Sequence, residues 1–154
     1  MRADIRGSAL HGDISFAAPD GIHVCSRVVI PAGLKLISRD GPETTVIEGA
    51  ADPQTEVTDP NGYGRGPGAI RCAYVGVNAT LSGFTLINGH TDFYDTNRHT
   101  TQYQDDLFGG GAFGRNYNNA VIENCIISNN YANLGGAGGN IVFNGCRAIN
   151  NVAV

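Results

Sequence analysis

Residues 119–131, which read NAVIENCIISNNY, are followed 21 positions later by NIVFNGCRAINNV at residues 140–152. The same pattern occurs once more at residues 78–90, as NATLSGFTLINGH. The three segments align without gaps, and an internal repeat of this kind decides the fold class. The matching positions are Asn78, Asn119 and Asn140; Leu81, Ile122 and Phe143; Phe84, Cys125 and Cys146; Leu86, Ile127 and Ala148; and Asn88, Asn129 and Asn150.

The spacing of the repeat predicts a solenoid of short strands. In a parallel β-helix each coil lays its strands on the coil below, and inward side chains stack on their equivalents. The first two segments are 41 residues apart, which corresponds to two coils or to one coil with an insertion. Leucine-rich repeats have a similar period, but their dense leucine pattern and helical segment are absent. We predict one all-β domain over residues 1–154, a right-handed parallel β-helix of about five coils.

The recurring asparagines have a structural explanation. Asn tolerates left-handed backbone angles, which suit a bend between two strands. A stacked Asn can also bond through its amide to the Asn of the next coil, which forms a ladder. We predict such a ladder inside the fold, formed by Asn88, Asn129 and Asn150.

Composition excludes several classes of protein. The chain has 154 residues, 22 of them Gly, and its charged fraction is 16%. Its net charge of −4 argues against a nucleic-acid partner. No run of about 18 apolar residues is present, so no membrane span is expected. The chain begins with charged residues that no apolar run follows, and this is not the pattern of a secretory signal.

Four stretches of the sequence resemble motifs of known β-helix proteins. Residues 34–49, LKLISRDGPETTVIEG, and residues 12–14, GDI, resemble the opening coils of bacterial right-handed β-helix proteins of the pectate-lyase-like superfamily. Residues 127–137, ISNNYANLGGA, with the GGA of residues 110–112, resemble the FxxN and GGA repeats of polymorphic outer-membrane adhesins. The resemblance implies the β-helix fold and an extracellular or cell-surface location. It leaves the activity open, because the superfamily includes lyases, hydrolases, epimerases, adhesins and inert stalks.

Two segments interrupt the repeats, residues 51–67 and residues 90–108. Loops on rigid scaffolds carry function more often than the scaffold does. Both insertions leave the solenoid near coil boundaries, so we expect them to lie beside each other on one face. The candidate ligand-binding residues in and near the second insertion are Asp92, Tyr94, Asp95, His99, Tyr103, Asp105, Asp106 and Arg115.

These side chains are compatible with several ligands. Tyr94 and Tyr103 can stack on sugar rings while Asp92 and Asp95 bond to hydroxyls, which indicates a polysaccharide. Asp105 and Asp106 with one of the other aspartates are hard oxygen ligands suited to calcium, although no known calcium motif orders them. Arg115 is the best single candidate for an anion contact. The alternative is a solvated loop that packs Phe93 and Phe108 on the solenoid.

The remaining polar side chains of interest are expected to be ordinary surface groups. His90 and His99 form a conceivable metal pair, but surface histidines fit the pattern better. Arg71 is expected to point outward beside the insertions and to aid solubility. No metal site or cofactor is therefore assigned, calcium being the weak exception.

The sequence favours a non-catalytic module over an enzyme. Hydrolases of this fold use several aspartates in neighbouring coils, as paired-carboxylate glycosidases do. Residues 69–86 and 120–154 contain no Asp, so any pair must come from the insertions. A module that binds glycans or proteins through its insertions is one reading, and a polysaccharide lyase, a glycoside hydrolase or a remnant of one is the other.

Two further expectations concern the cysteines and the last coil. Cys25, Cys72, Cys125 and Cys146 lack CxxC spacing and have apolar neighbours, which predicts buried, reduced thiols. The chain stops in mid-repeat without a capping segment, where an open coil would expose strand edges and core side chains. A truncated gene, a fragment of a longer protein and end-to-end self-association about a two-fold axis each explain this, and self-association is the structural hypothesis.

Overall fold

The computed structural model describes residues 2–5, 14–15, 26–55, 64–93, 105–114 and 119–154. Almost all of the regular structure in these ranges is β-strand, which confirms the all-β prediction. The strands are β1 (Arg2–Ile5), β2 (Ile14–Ser15), β3 (Ser26–Ile30), β4 (Lys35–Ser38), β5 (Val46–Glu48), β6 (Arg71–Val75), β7 (Thr80–Ser82), β8 (Thr85–Ile87), β9 (Ala112–Gly114), β10 (Val121–Glu123), β11 (Ile126–Ser128), β12 (Tyr131–Ala132), β13 (Gly138–Gly139), β14 (Val142–Asn144), β15 (Arg147–Ile149) and β16 (Val152–Ala153).

The strands form three main sheets of parallel pairs. The first sheet has the order β1-β4-β7-β10-β14, the second has β5-β8-β11-β15, and the third has β2-β3-β6-β9-β13. A smaller sheet pairs β12 with β16. From β3 onward the chain visits the third, first and second sheets in turn and then returns to the third. This arrangement is compatible with a β-helix or a related solenoid.

The strand registers confirm the repeat alignment. Thr80 pairs with Val121, and Val121 pairs with Val142, so the first sheet aligns all three segments as the sequence does. In the second sheet Ile126 is flanked in the same way by Thr85 and Arg147. Because β7 lies directly beside β10, the interval of 41 residues is one repeat with an insertion rather than two coils.

The core lies between the sheets and is built from equivalent positions of successive repeats. Leu36, Leu81 and Ile122 follow one another across the first sheet, and each is 0% exposed. In the second sheet Ile127 is fully buried in the same way, which confirms that it points inward. Burial of one such side chain contributes about 1.5–3 kcal/mol to stability, so these stacks hold the repeats together.

The bends between strands are formed by residues with left-handed backbones, as the asparagine pattern predicts. Among the residues that the structure describes, seven asparagines have φ between 51° and 58°. They are Asn78, Asn88, Asn119, Asn124, Asn129, Asn140 and Asn150. Gly83 and Gly145 stand at the positions equivalent to Asn124 and also have positive φ, since Gly adopts this conformation without strain.

The predicted ladder of Asn88, Asn129 and Asn150 is wrong by one residue. The first two side chains are half-buried at bends and the third is exposed. The interior amides belong to the following residue, where Asn130 is 0% exposed and its Nδ2 donates to Asn151 Oδ1 at 2.8 Å. A left-handed bend turns its own side chain outward, and the next residue then faces the core.

The ladder begins at a glycine. Gly89 stands one repeat before Asn130, and its backbone N–H donates to Asn130 Oδ1 at 2.7 Å. Asn130 Nδ2 also donates to the Leu86 carbonyl at 3.1 Å, and Asn151 Nδ2 donates to the Ile127 carbonyl at 2.8 Å. Both amides, of the buried Asn130 and the partly buried Asn151, therefore bond to the backbone of the preceding repeat and to each other.

Candidate functional site

The described parts of the two insertions lie side by side. Gly66 N–H donates to the Thr91 carbonyl at 3.2 Å, which joins the first insertion to the second. Asp52 N–H donates to the Gly64 carbonyl at 2.7 Å, and Asp92 N–H donates to the Asp106 carbonyl at 3.0 Å. These bonds close each insertion near its base. The expectation that the insertions share one face is confirmed for these residues.

Arg71 is the centre of the joint between the second insertion and the third sheet. Its Nη1 donates to the Phe108 carbonyl at 2.8 Å and its Nη2 donates to the Asp105 carbonyl at 3.0 Å. The guanidinium carbon also lies 5.0 Å from the centroid of the Phe113 ring. The residue is 1% exposed, so the prediction that Arg71 points outward is wrong. The insertion folds back over the strand and covers it.

An aromatic cluster supports this joint. The Phe108 ring stacks on Phe113 with centroids 6.0 Å apart, and Tyr74 lies 6.2 Å from the same ring. The predicted packing of Phe108 on the sheet is therefore confirmed. Phe93 behaves differently, because it is 40% exposed.

Asp105 and Asp106 lie beside the positively charged guanidinium group of Arg71. Asp106 Oδ1 lies 3.7 Å from Arg71 Nη2, and Asp105 contributes its backbone carbonyl to the same guanidinium. A bound calcium ion beside this buried guanidinium would be repelled by it, while the carboxylate would be shared between two positive charges. The geometry therefore makes the Asp105–Asp106 pair a better anchor for Arg71 than a cation site.

The other described carboxylates of the insertions accept backbone hydrogen bonds. Asp52 accepts from Gln54 N–H at 2.8 Å and from Gly68 N–H at 3.3 Å. Asp92 Oδ1 accepts from Phe93 N–H at 2.8 Å. Asp side chains that bond to nearby backbone in this way shape turns. The side chains of Asp52 and Asp92 therefore stabilise the turns in which they lie.

His90 is buried at the base of the second insertion. Its ring stacks on Tyr131 with centroids 5.0 Å apart and an angle of 17° between the planes. Nδ1 lies 2.9 Å from the Asn88 carbonyl, which can only accept, so Nδ1 carries the proton and Nε2 is the free base. Burial lowers the pKa of His90, and the Asn88 carbonyl opposes this effect. His90 is only 9% exposed, so the prediction of a surface histidine is wrong.

A small cavity lies between these groups. Its volume is about 20 Å³, and Arg71, His90, Asp92 and Asp106 supply its polar lining. Gly66, Pro67 and Ala69 complete the wall. A space of this size holds about one water molecule, whereas sites for small-molecule ligands measure about 300–1,000 Å³. The cavity is therefore a packing feature of the joint and is too small for a sugar.

The predicted ligand-binding residues divide into two groups. Asp92, Asp105 and Asp106 lie close together around Arg71. The rest, Tyr94, Asp95, His99, Tyr103 and Arg115, lie outside the described residues. Among the described residues no group of three or more His, Cys, Asp or Glu side chains is placed to share a metal ion. Arg71 and His90 are the residues whose importance the sequence reasoning missed.

A second surface of interest is the outer side of residues 140–154, which we call the end surface. Phe143 is 43% exposed, although its equivalents Ile122 and Leu81 are 0% exposed. Val142 is 55% exposed, and Ala148, equivalent to the buried Ile127, is exposed. Beside them lies an open concavity of about 410 Å³ lined by residues 135–138, Phe143, residues 148–151 and Ala153. Core positions of this repeat are thus open to solvent.

Comparison with protein-family models finds no match to this chain, and searches of curated proteins and of solved structures also find none. In the part of the chain that the structure describes, no helix has both the length and the apolar character needed to cross a membrane.

Proposed function

We propose that the chain is a right-handed parallel β-helix module with a non-catalytic role, and that it associates with a second copy of itself through the end surface. The carrying observation is the exposure of Phe143, which occupies a position that is fully buried in the two preceding repeats.

The solenoid is supported by the order in which the chain visits its sheets. Equivalent strands of the three aligned repeats pair in parallel in the first and second sheets, so each repeat is joined to the next by a crossover. Crossovers between parallel strands of one sheet are right-handed in nearly all proteins. The stacked core positions and the ladder of Asn130 and Asn151 are further features that a β-helix explains.

A non-catalytic role is supported by the contacts that the described carboxylates make within the protein. Asp52 and Asp92 accept backbone hydrogen bonds, and Asp106 lies beside Arg71. A glycosidase needs two carboxyl groups on either side of a cleft that admits a sugar ring. The cavity of about 20 Å³ between these groups admits no ring. The described parts of the insertions are better explained as a joint that ties loops to the sheet.

Association through the end surface is supported by its composition and its edges. Among the described strands, β14, β15 and β16 each have a neighbour on one side, and Arg147 is the sole charged side chain of residues 140–154. Edges that stay free are usually protected by charges, bulges or covering segments. A two-fold axis through this surface would match each edge with an identical edge and bury both copies of Phe143.

The test is the mass of the protein in solution. Light scattering coupled to size exclusion is expected to give a dimer for the wild type at micromolar concentration. Phe143→Asp is expected to give a monomer, because it places a charge in the centre of the interface. Val77→Asp is the matched control, since Val77 is 36% exposed but belongs to another repeat, and it should remain dimeric. A wild-type monomer, or an open-ended series of larger species, contradicts the two-fold association.

Glycan binding is a second candidate, favoured by Phe93. This ring is 40% exposed and immediately follows Asp92 at the mouth of the second insertion. Exposed aromatic rings are the usual platforms for sugar rings. A glycan array with and without calcium, using wild type and Phe93→Ala, tests the idea. Binding that Phe93→Ala abolishes supports it, and absence of binding to both acidic and neutral glycans rejects it.

A further inference from the structure

Two cysteines occupy equivalent positions in neighbouring repeats. The pairs Glu123 with Asn144 and Ile126 with Arg147 lie in register on either side of Cys125 and Cys146. Backbone bonds continue through the bend, where Arg147 N–H donates to the Cys125 carbonyl at 2.9 Å. The two cysteines are therefore stacked directly, one repeat above the other.

The two thiols also point the same way. Cys125 Sγ lies 3.2 Å from the Glu123 carbonyl, and Cys146 Sγ lies 3.6 Å from the equivalent Asn144 carbonyl. Each sulfur in addition faces the preceding repeat, where Cys146 Sγ lies 3.3 Å from the Ile122 carbonyl. Cys146 is near enough to Cys125 to be one of the groups that raise the pKa of the Cys125 thiol. Both cysteines are free thiols in this structure.

The spacing of stacked strands suits a disulfide bond between Cys125 and Cys146. Neighbouring strands lie about 4.7–4.9 Å apart, and disulfides span Cα separations of about 4.4–6.8 Å. The Cβ atoms of a disulfide are usually about 3.5–4.5 Å apart, so two Cβ atoms separated by the strand spacing must approach each other by about 0.2–1.4 Å. Residues 140–154 can make this movement in this structure, because Val142, Phe143 and Ala148 are exposed. The resulting bond would be strained and easily reduced.

We propose that Cys125 and Cys146 form a reversible disulfide between the last two repeats. The oxidant is a low-molecular-weight disulfide. Cys146 is partly exposed to solvent, so its thiolate can attack one sulfur of the small disulfide and release the other sulfur as a thiol. Cys125 then gives up its proton, attacks the Cys146 sulfur of the mixed disulfide and releases the second thiol. Two protein thiols are oxidised and one small disulfide is reduced to two thiols.

The order of attack follows from the different burial of the two sulfurs. Cys125 is 2% exposed, and burial raises its pKa to about 12, so it is a poor first nucleophile. Cys72 is 0% exposed, burial raises its pKa to about 12, and Asn130 and the Ile87 carbonyl surround its sulfur. Cys72 should therefore stay reduced under the same conditions, which makes it an internal control.

Peptide mass spectrometry tests the disulfide. Trypsin releases residues 116–147 as one peptide that holds both cysteines, whereas Cys72 lies in the peptide of residues 72–98. After treatment with oxidised glutathione at pH 8, denaturation and alkylation, we expect peptide 116–147 to be about 2 Da lighter than its reduced form and to carry no alkyl group. The peptide of residues 72–98 should be alkylated. Reduction before alkylation should restore two alkyl groups on peptide 116–147.

Two results would overturn the inference. One is a peptide 116–147 that carries two alkyl groups after oxidation. The other is a stable glutathione adduct on Cys146 beside an alkylated Cys125. The experiment is repeated on Phe143→Asp, so that occlusion of Cys146 by a second copy cannot be mistaken for failure of the disulfide. Formation of the disulfide and self-association are thereby tested independently of each other.

Discussion

Replacement of Asn130 by Ala tests the interior ladder directly. The substitution removes the acceptor of the Gly89 N–H and the donor to the Leu86 carbonyl and to Asn151. A buried N–H without an acceptor costs about 1–3 kcal/mol, and each of the two lost amide bonds contributes about 0.5–1.5 kcal/mol. We expect the free energy of unfolding to fall by about 3 kcal/mol.

The matched control is the neighbouring residue. Asn129 has a φ of 53° and its side chain is half-buried at the bend, so Asn129→Gly keeps the backbone conformation and leaves the ladder intact. It should change stability by less than about 0.5 kcal/mol. Both variants are compared with the wild type by urea denaturation followed by circular dichroism. Equal stabilities for Asn130→Ala and the wild type, or an Asn129→Gly variant as unstable as Asn130→Ala, would refute the assignment of the ladder.

Three further substitutions probe the core and the joint. Ile127→Asp places a charge in a fully buried stack and should lower stability by several kcal/mol, and a soluble, cooperatively melting variant would show that the inward assignment is mistaken. Arg71→Met nearly keeps the side-chain volume but removes the hydrogen bonds to the Phe108 and Asp105 carbonyls, so we expect faster proteolysis within residues 90–108. The cleavage rate is measured by limited digestion with a protease other than trypsin. A rate equal to that of the wild type would argue against the joint. Burial holds the pKa of His90 below its ordinary value of 6.5, so as the pH falls the unfolded chain binds a proton at His90 before the folded protein does. The contribution of neutral His90 to the free energy of unfolding is therefore fully present above pH 6.5 and is lost as the pH drops below it. His90→Gln should flatten this dependence of the melting temperature on pH.

Much of the scaffold follows from the sequence because its information is local and repeated. The matching of Ile122 with Leu81 and Phe143 predicts a strand register that the structure reproduces. The asparagine bends follow as well, because positive φ depends on the residue itself. The sequence places the ladder one residue too early, because Asn129 and Asn130 are adjacent and both recur 21 residues later. Composition alone cannot tell which of two consecutive amides faces inward.

The joint around Arg71 could not be predicted for a different reason. A strand pattern shows which residues alternate, but it carries no information about a distant segment that folds back over them. Arg71 is buried by the backbone of residues 105–108, which lies more than thirty positions further along the chain. The one available signal was a charge among apolar neighbours, in Ile70-Arg71-Cys72. Such a charge indicates an internal partner as well as a solvent-facing group.

The interior amides also set a rule for how this protein can be lengthened. Asn130 and Asn151 are bonded to each other across 21 residues, so a duplicated unit of that length would bring its own amide to the correct height in the stack. Extra residues are tolerated in the loops, because Gly89 and Asn130 keep their contact across 41 residues. A residue added or removed between Ile127 and Asn130 would instead turn a polar side chain into the apolar stack, so an added unit must keep the length of its strands and bends.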